Sequence, residues 1–227
     1  MIEHDIEQGT AEWSKLRRGK LTASRMGKLV TPKTMKPSAQ MADLACELIA
    51  DTYMFGAEAW VRTDYQSAAM DYGLRMESEA RAWFEMETGL EVRQVGFCES
   101  DDGRMGASPD GLIDPDSGLE LKCPELKGHI RYLIDGTMPA EYRGQVHGSM
   151  IVTGRSSWHF MSYGGPVRPL LIEVKRDEYT EALESAMQSF WKMYDKMLEQ
   201  VRGPEHEVTS QLMAAGYELS AGAVSPF

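Results

Sequence analysis

The stretch that most limits what this chain can fold into is Ser108 to Pro124, which reads SPDGLIDPDSGLELKCP. Pro115-Asp116-Ser117-Gly118 is turn chemistry between two short runs of alternating apolar residues, so the stretch predicts a β-hairpin. Successive side chains of a strand point to opposite faces, so Glu120 and Lys122 share one face and Leu121 and Cys123 the other. One face is chemical and the other is core. The turn lays the two strands side by side, which lets Asp110 converge on Glu120. Two converging carboxylates invite a hard cation: Mg²⁺ takes oxygen ligands and keeps waters and substrate phosphate oxygens, and the backbone carbonyl of Leu121 is a further oxygen in reach. A lysine beside such a centre positions or deprotonates a water, or steadies charge on phosphorus.

The pattern P-D-x₉-E-x-K is the PD-(D/E)xK nuclease motif, and the segments around it supply the helices such a hairpin needs. Thr22-Ala-Ser-Arg predicts the N-cap and first turn of a short helix through Val30, followed by a basic loop from Pro32 to Pro37. Ser38 begins a helix to about Tyr53 with Met41, Leu44, Ala45, Leu48 and Ile49 on one face. A longer helical pattern covers about 64–88, with Gly89 as its C-terminal stop. Strands are expected over 91–98, 105–107, 111–113 and 119–123, a helix over 139–152, strands over 157–163 and 170–174, and a last helix over 178–201. This order predicts one α/β domain over residues 1–227, with a mixed central β-sheet flanked by helices and a peripheral tail after about residue 203. Glu77, in YGLRMESEARAWFE, lies at the border of the apolar face of its helix, and Gln145, in YRGQVHGSM, borders the Tyr142, Val146, Met150 stripe. Taken alone, each is an ordinary surface residue.

Charge is divided unevenly. The net charge is -11, yet from Trp13 to Ala42 there are eight Lys and Arg and no Asp or Glu. The rest of the chain then holds 16 basic against 35 acidic residues. Trp13, Leu16, Leu21, Met26 and Leu29 are interleaved with the cations, which makes this a packed segment with an anion-binding face rather than a solvated arm. The three cysteines are odd in number and widely spaced, so a disulfide framework or a zinc ribbon is not expected. The five histidines lack HExxH spacing. No apolar run reaches 18 residues and the first residues lack a signal-peptide pattern, so the expected location is the cytoplasm.

Together, AEWSKLRRGKLTAS, YGLRMESEARAWFE, SPDGL, LELKCP and QVHGSM, in that order between residue 11 and about 152, resemble the phage lambda exonuclease family (YqaJ-type viral recombinases) of the PD-(D/E)xK superfamily. The resemblance implies an exonuclease dependent on Mg²⁺, with two ions and Mn²⁺ as a substitute. It would degrade one strand of double-stranded DNA ends in the 5′-to-3′ direction, release mononucleotides and leave a 3′ overhang. It implies a homotrimeric ring, a single-strand-annealing protein as partner in phage-type recombination, and a phage or prophage origin. On this resemblance Asp110, Glu120 and the Leu121 carbonyl are metal ligands, with Glu77 helping a second ion. Lys122 is the catalytic lysine, Gln145 lies beside the attacking water, Arg17, Ser24 and Ser108 bind the 5′-phosphate, and Met70 is the strand-separating wedge. Ser24 suits an anion independently, because it falls in the first turn of a helix. Beyond Thr153 the match weakens to a general pattern of strands and a long helix.

Two rival readings remain at this stage. A structure- or sequence-specific endonuclease of the same superfamily often carries an added recognition module, and no zinc site or helix-turn-helix remainder stands out here. A DNA-end-binding recombination scaffold with a dead nuclease site would have no need for Glu77, Asp110, Glu120 and Lys122 together.

Overall fold

A computed structural model describes residues 1–53 and 68–214, with side chains over 1–53 and 76–203. The chain begins with β1 (Ile2–His4) and α1 (Ala11–Arg17), whose N-cap Thr10 accepts a hydrogen bond from the Trp13 backbone N–H. β2 (Leu21–Thr22) runs straight into α2 (Ala23–Met26), and α3 (Met41–Tyr53) and α4 (Ala68–Thr88) follow. Next come β3 (Phe97–Glu99), β4 (Met105–Ala107), β5 (Gly111–Ile113) and β6 (Ser117–Lys122). The order closes with α5 (Leu126–Asp135), α6 (Ala140–Thr153), β7 (Ser157–Ser162), β8 (Leu170–Lys175) and α7 (Glu178–Ala214). Gly203 breaks α7 with φ 67° and ψ 168°, so the helix read from the sequence to Val201 ends one turn before a second helical segment. Among the described residues no helix is long and apolar enough to cross a membrane.

The architecture is the expected mixed α/β one, and the strands divide into two four-stranded sheets. The first has the order β1-β3-β4-β2 and the second β5-β6-β7-β8. A backbone bridge joins them, Arg93 N–H to Leu112 O at 2.9 Å and Leu112 N–H to Arg93 O at 2.8 Å. In the second sheet β5 and β6 form the predicted hairpin, β6 runs parallel to β7 by way of α5 and α6, and β8 returns antiparallel.

Strand alternation divides the core in two. Leu119 and Leu121 of β6, with Met161 of β7, pack under Ala80 and Phe84 of α4. Trp158 and Phe160 of β7 face the other way, into the larger core built from α2, α3, α6 and α7. The apolar face of α3 is the one read from its spacing, Met41, Leu44, Ala45, Leu48 and Ile49. Burying each such leucine contributes about 1.5–3 kcal/mol. Glu120 and Lys122 therefore emerge on the α6 side of the sheet.

Several expectations change. The strand expected over 91–98 is regular only from Phe97. A Cβ on Gly96 would meet the Ile6 carbonyl at 1.8 Å, so the N-terminal segment crosses the backbone there and interrupts the run. The helix expected through Val30 stops at Met26, because Lys28 and Leu29 turn back on Arg25 and Met26. Turn residues Asp114 to Asp116 close the hairpin one step earlier than expected, and Ser117 and Gly118 belong to β6. Gly118 is needed for packing: a Cβ there would lie 2.4 Å from the Trp158 ring. Helix α5 is missing from the sequence reading although Leu126, Ile130 and Ile134 recur at helical spacing; in the fold all three are exposed.

Candidate active site

The hairpin sets Asp110 against the C-terminal half of β6. Asp110 donates its backbone N–H to Leu119 O at 3.2 Å, and its carboxylate accepts the Leu121 N–H at 2.5 Å. The N–H and C=O of one strand residue leave on the same edge, so the Leu121 carbonyl lies on the Asp110 side. Glu120 is only 2% exposed. Its Oε1 accepts from both Lys122 Nζ and Gln145 Nε2, the latter at 2.6 Å. Gln145 comes from α6, which lies over this face of the sheet, and the Lys122 ammonium sits 5.2 Å from the centre of the Tyr142 ring.

The electrostatics of this group are unbalanced. Burial pushes the Glu120 carboxyl up to about 7; Asp110 and Glu77 push the same way, and Lys122 pulls against them. Asp110 is raised for the same first reason, with Lys122 and the Leu121 N–H opposing. Glu77 is raised by burial and by the nearby Asp110. Burial alone would lower Lys122, but the carboxylates of Glu120 and Asp110 outweigh it and hold the amine protonated. All three carboxyls are thus harder to ionise chiefly because they are buried, with Lys122, and Arg81 at Asp110 and Glu77, pulling the other way. Among the described residues no three His, Cys, Asp or Glu side chains gather closely enough to hold an ion by themselves. Asp110 and Glu120 form the pair, and Glu77 stands back from it within electrostatic reach. This donor set fits a hard divalent cation that takes its remaining ligands from a carbonyl, waters and substrate.

The same cavity has a second wall, lined by Gln8, Trp13, Arg17, Ser24, Ser108 and Ser149. Arg17 donates to Ser108 Oγ at 2.8 Å and stacks on the Trp13 ring, 4.1 Å from its centroid. Burial and the positive charge of Arg25 draw its guanidinium down to about 10, so it stays cationic at neutral pH. Of the basic stretch, Lys20 pairs with Glu99, Arg25 with Asp51 and Lys28 with Glu47. Arg17 has no carboxylate partner among the described residues. Of the cations in the stretch, Arg17 is the one that lines this cavity. Ser24 is exposed at the rim, its hydroxyl 3.2 Å from that of Thr22. Because α2 is a single turn, its dipole adds little, and Thr22 occupies the N-cap position without a side-chain capping bond.

Two glycines bring the walls together. Gly144 and Gly148 of α6 face α2, where a Cβ on Gly144 would lie 2.3 Å from Gly27 Cα and one on Gly148 would lie 2.5 Å from Met26 Sδ. This contact sets Ser24 and Gln145 on facing elements of one cavity. Gln8, Trp13 and Ser149 line the cavity but are not among the site residues read from the sequence. Gln8 donates to Pro109 O at 3.0 Å and Val95 O at 3.3 Å, which ties the N-terminal segment to the loop before Asp110. Trp13 counts in the sequence only as an interleaved apolar residue. Ser149, 2% exposed, follows Gln145 by one helical turn, and that i, i+4 spacing was the available signal. Met70 belongs to the first turn of α4, and its side chain lies outside the described residues.

A mixed α/β core that carries a buried glutamate and a lysine on one strand, with an aspartate at the head of the adjacent strand, has the features of the PD-(D/E)xK class. Within that class the chain belongs to the family of the YqaJ-like viral recombinase domain, which it matches over residues 12–156. It is similar to the crystal structure of the alkaline exonuclease LHK-Exo from Laribacter hongkongensis, with 30% identity, 89% of this chain and 100% of that chain covered, and a TM-score of 0.72. LHK-Exo in complex with dAMP matches at 29% identity over the same shares, with a TM-score of 0.71. A phage related exonuclease from Haemophilus somnus 129PT shares the fold at 14% identity, with 80% of this chain and 96% of that chain covered and a TM-score of 0.60. No curated protein sequence matches the chain.

Proposed function

We propose that this protein is a Mg²⁺-dependent nuclease of phage-type recombination that digests double-stranded DNA from its ends in the 5′-to-3′ direction, preferring a 5′-phosphate. One observation carries the reading: Arg17, cationic and without a carboxylate partner among the described residues, shares a single cavity with Asp110, Glu120 and Lys122. A half-buried cation of this kind is relieved by an anion, and a terminal phosphate supplies one. Held by Asp110, Glu120 and the Leu121 carbonyl, with Glu77 toward a second ion, Mg²⁺ (or Mn²⁺ in its place) would supply an acidic bound water and charge neutralisation at phosphorus.

The chain's own residues do the rest. Glu120 fixes the Lys122 ammonium, which as a protonated group steadies negative charge on the phosphate under attack. Gln145 shares the Glu120 oxygen, and its second amide hydrogen remains to orient a water. Arg17, Ser108 and Ser24 hold the terminal 5′-phosphate, so the linkage presented to Lys122 is the one just inside that end. Each cleavage exposes a new 5′-phosphate for the same pocket, which gives the direction. The relative's complex with dAMP supports mononucleotides as the products. Family membership supports a homotrimeric ring, a 3′ overhang handed to a single-strand-annealing partner, and Met70 as the wedge.

End-labelled linear duplex, digested with and without Mg²⁺ and with either 5′ end, tests the proposal. Linear DNA with a 5′-phosphate is digested fastest, and closed circular duplex resists. Cutting of closed circles as fast as linear DNA would move the protein to the endonuclease reading.

A further inference from the structure

We propose that Trp13 is a positioning residue of the phosphate pocket, whose indole N–H turns the Ser108 hydroxyl into an inward donor for the terminal 5′-phosphate. The inference rests on the phosphate-anchor reading above and extends it to a residue that never touches the phosphate.

Hydrogen-bond arithmetic carries the inference. Trp13 Nε1 lies 2.9 Å from Ser108 Oγ, and an Arg17 guanidinium nitrogen lies 2.8 Å from the same oxygen. Indole N–H and guanidinium are donors only, and a hydroxyl has two lone pairs and one hydrogen. Both lone pairs of Ser108 are therefore taken, and its single hydrogen must be donated elsewhere. Ser108 lines the cavity that also holds Arg17 and Ser24, so the hydrogen turns toward the place where an anion would sit. A hydroxyl with one filled lone pair can rotate; one with two filled cannot without losing a bond. The Trp13 ring does a second service, lying 4.1 Å from the Arg17 guanidinium and holding its plane. Nothing in the core demands a tryptophan here, since α1 has no buried residue.

The test uses the full chain with Mg²⁺ and blunt linear duplex carrying either a 5′-phosphate or a 5′-hydroxyl, and reads the ratio of the two initial rates. Trp13→Phe keeps an aromatic shelf and removes the N–H. It should lower the phosphate preference by about tenfold, the worth of one oriented hydrogen bond to a charged group. Digestion of 5′-hydroxyl ends should fall by much less than digestion of 5′-phosphorylated ends. In a Ser108→Ala background the same substitution should cost no further preference, because Trp13 acts through the hydroxyl that is gone. Trp13→Leu, which removes the ring as well, should lose more than Trp13→Phe.

Full preference in Trp13→Phe, equal slowing on both ends, or an equal loss in the Ser108→Ala background would each overturn the assignment. If wild type itself shows no preference for the 5′-phosphate, the anchor reading fails instead, which is a separate result.

Discussion

Gly144 and Gly27 meet at one contact but should respond oppositely to alanine. A Cβ on Gly144 would lie 2.3 Å from Gly27 Cα and 2.5 Å from Gly27 N, both backbone atoms that no rotamer change can move. Carbon atoms rest at about 3.5–4.0 Å, so α2 would have to move from α6 by at least about 1 Å. Alanine gains about 1 kcal/mol over glycine in a helix interior, while overpacking costs about 1–3 kcal/mol. The net loss of stability in Gly144→Ala is then at most about 2 kcal/mol, and the protein stays folded. The loss of activity is far larger, because the shift moves Ser24 away from Gln145 and Glu120, and a misplacement of about 1 Å costs on the order of 10²-fold in kcat/KM. A Cβ on Gly27, in contrast, would rest 3.8 Å from Gly144 Cα, an ordinary contact. Gly27→Ala should keep activity within about twofold and gain about 0.4–1 kcal/mol through the unfolded state. Digestion of 5′-phosphorylated linear duplex, paired with urea unfolding of both variants, reads the two effects separately. Full activity in Gly144→Ala, or equal damage from both alanines, would refute the role of this contact in aligning the cavity.

Other perturbations bear on single groups. Lys122→Met removes the one ammonium among the three carboxyls and should lower turnover by about 10²–10³-fold, read in single-turnover digestion at saturating Mg²⁺. Arg17→Ala should slow 5′-phosphorylated ends by about 10- to 100-fold and leave 5′-hydroxyl ends nearly unchanged; equal slowing on both would show that Arg17 is not the anchor. His147, 1% exposed and bonded to the Thr180 hydroxyl at 2.7 Å, is pulled by burial from 6.5 to about 4. The unfolded chain therefore takes up the proton first, and stability is full above pH 6.5 and falls as pH drops from there toward 4. At pH 5 the loss from this one group is about 2 kcal/mol relative to neutral pH, so wild type should lose that much more than His147→Gln in urea unfolding at the two pH values.

The parts of the site legible in the sequence are those set by local rules. Asp110, Glu120 and Lys122 lie within thirteen residues of one another. Strand alternation and a turn suffice to predict their convergence, and even the misplaced turn boundary left the faces intact because both strands kept their register. Trp13 and Gln8 obey no such rule: their partners Ser108 and Pro109 are 95 and 101 residues away, and one apolar residue among cations carries no sign of its indole N–H. Charge is the sharpest case. Summing the stretch from Trp13 to Ala42 suggests a broad basic face, but a sum cannot see that Glu99, Asp51 and Glu47 return from elsewhere in the fold to neutralise Lys20, Arg25 and Lys28. Of these pairs only Lys28–Glu47 is exposed, and it adds little stability. The consequence of all three is to lower the density of free positive charge along the stretch, and of its cations Arg17 is the one that lines the cavity where the proposed function puts a terminal phosphate. If Arg17 anchors that phosphate as proposed, selectivity also depends on whatever fixes the guanidinium, and in this fold that is the Trp13 ring and the Ser108 hydroxyl.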